Sequence, residues 1–142
     1  MASENLAIDI AASPERVWQV ILDVETWPQW HPSMREVRRL EAEPLRVGSR
    51  TLIKQAGQPP VVWEVTELDE GTRFTWVARL PGFDATAVHL VSATADGGAR
   101  LALTMTWTGV LGGLMGALNR KRAHKSLVEE TSGAKARAET AA

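Results

Sequence analysis

Between residues 47 and 108 the chain breaks into short alternating runs parted by turn-forming residues, and no other feature limits its possible folds as much. Strand-like runs at 51–55, 61–68, 72–80, 85–95 and 100–108 are separated by Gly57, Pro59 and Pro60, by Asp69-Glu70-Gly71, by Pro81-Gly82 and by Asp96-Gly97-Gly98. The last of these is the strongest hairpin signal. The run after it alternates cleanly, with Leu101, Leu103, Met105 and Trp107 against Ala102, Thr104, Thr106 and Thr108. Links this short close antiparallel pairs, whereas a parallel crossover needs about a dozen residues or more. The region therefore predicts a mostly antiparallel sheet.

The flanks supply one more strand and the helices. Leu6, Ile8 and Ile10 alternate with Ala7, Asp9 and Ala11. Ser13 then fits an N-cap, with Pro14 at the first helical position and Glu15 in the first turn. Val17, Trp18, Ile21 and Leu22 share a helical face, and Pro28 and Pro32 limit any further helix to a short turn. Residues 34–43 form a charged strand candidate. The stretch 112–139 predicts one long helix, with an Ala-rich end from about 135 to 142 expected to fray. That helix carries two apolar stripes of different phase: Leu111, Leu114, Met115 and Leu118, then Ala123, Leu127 and Ala134. A kink, or a start later than Gly112, would reconcile them. The sum is an α+β domain spanning 1–142, its seven strands curled around the last helix with a cavity between the two.

Composition removes several function classes. A formal charge of -1 gives no reason to expect a nucleic-acid partner. The absence of cysteine removes disulfides, thiolate metal sites and a Cys nucleophile, and is compatible with a cytoplasmic location. His31, His89 and His124 are scattered without metal-ligand spacing, so neither metal nor cofactor is expected. The first ten residues lack the pattern of a secretory signal, and the apolar run 107–118 falls short of the about 20 residues that span a bilayer. Stable membrane insertion is therefore not expected; monomer and homodimer both stay open. Six Trp accompany two Phe and no Tyr, so no ligand contact can rely on a phenol hydroxyl from the protein.

Four motifs, taken in order, resemble the START-like, Bet v 1-like superfamily, and within it the polyketide cyclase/dehydrase and lipid-transport (SRPBCC) proteins. They are Ser13-Pro14-Glu15-Arg16-Val17-Trp18 after a first strand, Trp27-Pro28-Gln29-Trp30-His31-Pro32, Val62-Trp63-Glu64-Val65-Thr66-Glu67, and the glycine-rich stretch 109–116 leading into a basic helix. The resemblance covers nearly the whole chain. It implies a helix-grip fold with a deep pocket for an apolar or amphipathic small molecule, and it favours Trp30 over Trp27 as a pocket residue. It does not specify an activity, because such folds carry binding, transfer and cyclisation alike.

Alternation nominates the pocket wall. Trp63 and Val65 share a face, as do Phe74, Trp76 and Ala78, and Leu103, Met105 and Trp107. These indoles either fill the core or line a ligand cavity. Trp27 and Trp30 lie outside the sheet, as anchors of the short helix or as a gate at the cavity mouth. Leu111, Met115 and Leu118 are candidates to cap one end. His89 sits mid-strand between two faces of similar polarity; inward, it is a polar group able to bind a ligand oxygen or move a proton. His31 and His124 are weaker candidates. On the strand 50–55, either Leu52 points inward with Arg50 and Lys54, or Ile53 does with Thr51 and Gln55. The second is favoured, since an unpaired buried charge is expensive.

The leading expectation is binding or transport of an apolar, lipid-like or aromatic molecule, which calls for a pocket of roughly 300 Å³ or more. The alternative is a polyketide aromatase/cyclase or dehydratase using His89, Lys54 or Arg50 as acid/base. A third is a co-chaperone-like partner-binding module, with an exposed apolar patch and a closed pocket.

Overall fold

The computed structural model describes residues 2–140. Strand β1 (Ala2–Ile10) leads into helix α1 (Pro14–Leu22) and a 3-10 segment (Val24–Gln29). Six strands follow: β2 (Met34–Arg39), β3 (Arg50–Gln55), β4 (Val61–Asp69), β5 (Arg73–Leu80), β6 (Phe83–Ala93) and β7 (Ala99–Thr108). Helix α2 (Gly112–Glu139) closes the chain. The strands form one sheet in the order β1-β7-β6-β5-β4-β3-β2, every neighbouring pair antiparallel. This is the helix-grip arrangement, a curled sheet holding a long helix. Strand β2 is shorter than the run 34–43 predicts, because beyond Arg39 the chain turns and the Glu41 carboxylate accepts from the Arg50 backbone N–H at 2.9 Å.

Local chemistry explains the start of α1. The Ser13 side chain accepts from the Arg16 N–H at 3.2 Å, and Pro14 occupies the first turn, where no N–H is needed. Val17, Trp18, Val20 and Ile21 are buried on the face turned to the core. Pro28 lies inside the 3-10 segment, and the tight path folds Trp27 back until its indole N–H donates to the Ile21 carbonyl at 3.0 Å.

The register of the central strands sets large side chains against small ones. Trp76 stands opposite Ala87, which in turn faces Met105, and Ala85 stands opposite Trp107. An indole next to a methyl group leaves space that two bulky side chains would fill. On β3, Thr51 and Ile53 are buried while Arg50 and Lys54 are exposed, as the favoured reading of that strand has it.

Helix α2 does not reconcile its two stripes by a later start. It runs uninterrupted from Gly112 and buries Gly112, Gly116, Ala123, Leu127, Glu130, Thr131, Ala134 and Ala138. The first apolar stripe is left in solvent: Leu111, Leu114 and Leu118 are exposed. Glycine explains the choice. A Cβ at Gly116 would overlap Ala2 and approach the Trp107 ring to 3.0 Å, and one at Gly133 would overlap the Trp30 carbonyl oxygen. The helix can approach the sheet and the 3-10 segment only on the glycine side. The end of α2 is also better anchored than an Ala-rich sequence predicts. Ala138 is buried, Arg16 donates to the Arg137 carbonyl at 3.1 Å, and Glu139 accepts from the Ala11 N–H at 2.7 Å. Of the tail expected to fray, residues 135–139 are thus helical, and 141–142 lie outside the described residues.

Candidate functional site

A cavity of about 160 Å³ lies between the concave face of the sheet and α2. Trp63, Trp76 and Trp107 contribute indoles from β4, β5 and β7, and Trp27 reaches in from the 3-10 segment. Ala85 and Ala87 of β6 provide the room, and Ala123, Ser126, Leu127 and Glu130 of α2 form the opposite wall. Exposed Arg122 and half-buried Gln58, Val61, Leu80 and Phe83 stand at the rim. Trp27, Trp63 and Trp76 form a continuous apolar surface, with ring centroids 5.4 Å apart for Trp27 and Trp76 and 6.0 Å for Trp63 and Trp76.

One part of this lining is polar. His89 is buried, its ring stacked on Phe74 with centroids 4.1 Å apart and planes 9° from parallel. Its Nδ1 is 3.2 Å from the Phe74 carbonyl oxygen. A carbonyl only accepts, so Nδ1 carries the hydrogen and Nε2 is turned to the other side. There, 3.4 Å away, stands Oε2 of Glu130, a carboxylate nine-tenths buried. Glu130 Oε1 lies 3.8 Å from Nε2 of His31, which is also within 3.3 Å of the Ser126 hydroxyl. On its other edge His31 Nδ1 lies 3.8 Å from Glu129 Oε1, and Ser33 donates to that carboxylate. His31 is fully buried, and burial lowers its pKa against the opposing pull of Glu130 and Glu129. The cluster can donate, accept or relay protons; among the described residues no group of side chains is arranged to hold a metal ion.

The structure divides the residues nominated from sequence. Trp27, Trp63, Trp76, Met105, Trp107 and His89 line the cavity. Trp30 does not: it packs on the backbone of α2 at Gly133, and its indole nitrogen is buried without a hydrogen-bond partner. Of the two, Trp27 and not the favoured Trp30 borders the cavity, and Trp27 is buried in the core. Leu111 and Leu118 are exposed, and Met115 packs beside Trp107 and Ala123 outside the cavity wall, so the three do not cap it. Arg50 binds Glu41 at 3.0 Å, and Lys54 lies 3.7 Å from Glu36, both on the outer face. Of the three acid/base candidates only His89 opens into the cavity.

Sequence reasoning missed Glu130 altogether and gave His31 little weight. Glu130 had a usable signal, for it follows Ala123 by seven residues, Leu127 by three, and precedes Ala134 by four, so it shares their stripe. The cavity is also about half the size expected.

The comparisons with known proteins agree with this architecture. The START superfamily protein of Mycobacterium smegmatis superposes with a TM-score of 0.77 at 17% identity, over 98% of both chains. XoxI of Bacillus cereus gives 0.75 at 18% identity, over 95% of this chain and 94% of that one. The di-domain aromatase/cyclase StfQ of the steffimycin pathway gives 0.78 at 15% identity; it matches 97% of this chain, which spans 50% of its own. At these identities the likeness is one of fold. None of the curated proteins matches in sequence. The family described as polyketide cyclase / dehydrase and lipid transport matches residues 1–139, and the chain belongs to that family.

Proposed function

We propose that the protein binds a small apolar molecule, the size of a single ring, in the cavity between the sheet and α2. The observation that carries this reading is the indole-lined hollow itself. The indole faces that border this space of about 160 Å³ lack packing partners there. A ligand that fills it supplies them. The aromatase/cyclase StfQ has the same fold, and an aromatic ligand agrees with the indole walls here. Native mass spectrometry of protein purified from cells tests the proposal. The expected result is an added mass of ring-sized proportions that is lost on denaturation. A bare protein mass, together with no calorimetric uptake of benzene, overturns it.

One observation favours a second reading, acid/base chemistry on the bound molecule. His89 and Glu130 stand together in the cavity, and proton transfer needs such groups within reach of the reacting atom. Deuterium exchange beside the carbonyl of cyclopentanone, followed by NMR, reports it directly. Exchange no faster than in buffer removes this reading. The exposed side chains of Leu114 and Leu118 fit a partner-binding module, but an open cavity is the opposite of what that module predicts.

A further inference from the structure

We propose that Glu130 and His89 form a receptor for a hydrogen-bond donor, so that the ligand is a single aromatic ring carrying an O–H or N–H group. The inference rests on the ligand-binding reading above and names the chemistry of what is bound.

Two polar atoms converge at one point of the cavity wall. With its Nδ1 hydrogen directed at the Phe74 carbonyl, His89 turns Nε2 toward Oε2 of Glu130, 3.4 Å away. A carboxylate only accepts. Neighbouring groups do not supply the missing donor. His31 Nε2 lies 3.8 Å from Glu130 Oε1, beyond hydrogen-bond reach, and is already within 3.3 Å of the Ser126 hydroxyl. Glu129 is itself an acceptor and is bound by Ser33. The basic side chain among the lining residues, Arg122, is exposed at the rim. The Glu130 carboxylate is nine-tenths buried yet borders the cavity, which gives a ligand donor access to it.

The surroundings define the rest of the ligand. Trp27 and Trp76 stand 5.5 Å and 5.7 Å from the His89 ring, so a molecule that reaches the gap lies between aromatic faces. A free volume of about 160 Å³ admits one ring. An anionic group is excluded by the Glu130 charge. Phenols and anilines share the chemistry that fits: a flat apolar body with one donor at its edge.

Isothermal titration calorimetry of the full chain with phenol and with toluene tests the inference. The two probes have nearly the same shape, and toluene lacks the donor. In Glu130→Gln the new amide can donate to His89 and close the gap with a neutral group. The phenol-to-toluene affinity ratio is expected to fall about tenfold or more in that variant, while toluene affinity changes less than about threefold. Should Glu130→Gln not fold, Glu130→Met, which removes the acceptor and keeps the bulk, carries the same comparison. If the pair holds its own proton and serves only the fold, the ratio stays unchanged while toluene still binds; that result overturns the inference and leaves the ligand-binding reading in place. If neither probe binds the wild-type protein at millimolar concentration, the ligand-binding reading falls, and this inference with it.

Discussion

His31 shows how one side chain links the core to solution conditions. Its imidazole is fully buried, and burial lowers its pKa from the ordinary 6.5. The unfolded chain therefore binds a proton at this position more readily than the folded one. Stability from this residue is fully present above the unfolded pKa and is lost as the pH falls through the depressed folded value. Urea midpoints measured at about pH 7.5 and about pH 5.5 should show a drop in the wild type, and a smaller drop in His31→Gln. Equal drops would mean that other groups control the acid limb. Neither the burial nor the partners of His31 could be read from its neighbours, Trp30 and Pro32. The contacts come from α2, almost a hundred positions later in the chain. Glu130 was hidden for a different reason. Patterning assigns charged residues to solvent, and a carboxylate on a buried stripe contradicts that rule; such contradictions concentrate where a protein does chemistry.

Among the elements, α2 gives the clearest contrast between pattern and packing. Its first four large apolar residues, Leu111, Leu114, Met115 and Leu118, announce a core face by hydrophobicity, yet Leu111, Leu114 and Leu118 are exposed. The side that enters the core is marked by residues with almost nothing to bury, Gly112 and Gly116, because closeness of backbone to the Trp107 ring decides the orientation. Opposite outcomes are expected for two substitutions of one kind. Gly113 has open space around a built Cβ, so Gly113→Ala should stabilise by about 0.5–1 kcal/mol through helix propensity. In Gly133→Ala the new methyl meets the Trp30 backbone, and the variant should lose more than about 1 kcal/mol despite the better propensity. Thermal or urea unfolding distinguishes the two by sign. For α1 the sequence and the structure agree on the cap and on Val17, Trp18 and Ile21, with Val20 buried in place of Leu22, and Ser13→Ala should cost about 1 kcal/mol by removing the cap on the Arg16 N–H. The strands were legible for a similar reason: alternation and turn residues are local signals, and the sheet obeys them with small shifts at the ends.

At the scale of the whole molecule, the sheet order joins the first strand to the last and leaves β2 at the far edge. That edge carries exposed Arg35 and Arg38, which discourage pairing with a second sheet. Between the edges, capacity depends on β6. Ala87 lines the cavity between Trp76 on β5 and Met105 on β7. Ala87→Leu should fill the hollow and abolish toluene uptake in calorimetry. The circular dichroism spectrum should stay native, because the change leaves the strand register and the helix contacts untouched. Persisting uptake would place the bound molecule elsewhere.

The alternation of bulk along β5, β6 and β7 has a consequence for reading related sequences. Helix cap, turn residues and strand periodicity would all survive the exchange of Ala85 and Ala87 for valines or leucines. Two chains could then share every signature of this architecture and differ in whether anything fits inside. A few methyl groups on one strand separate a vessel from a solid block.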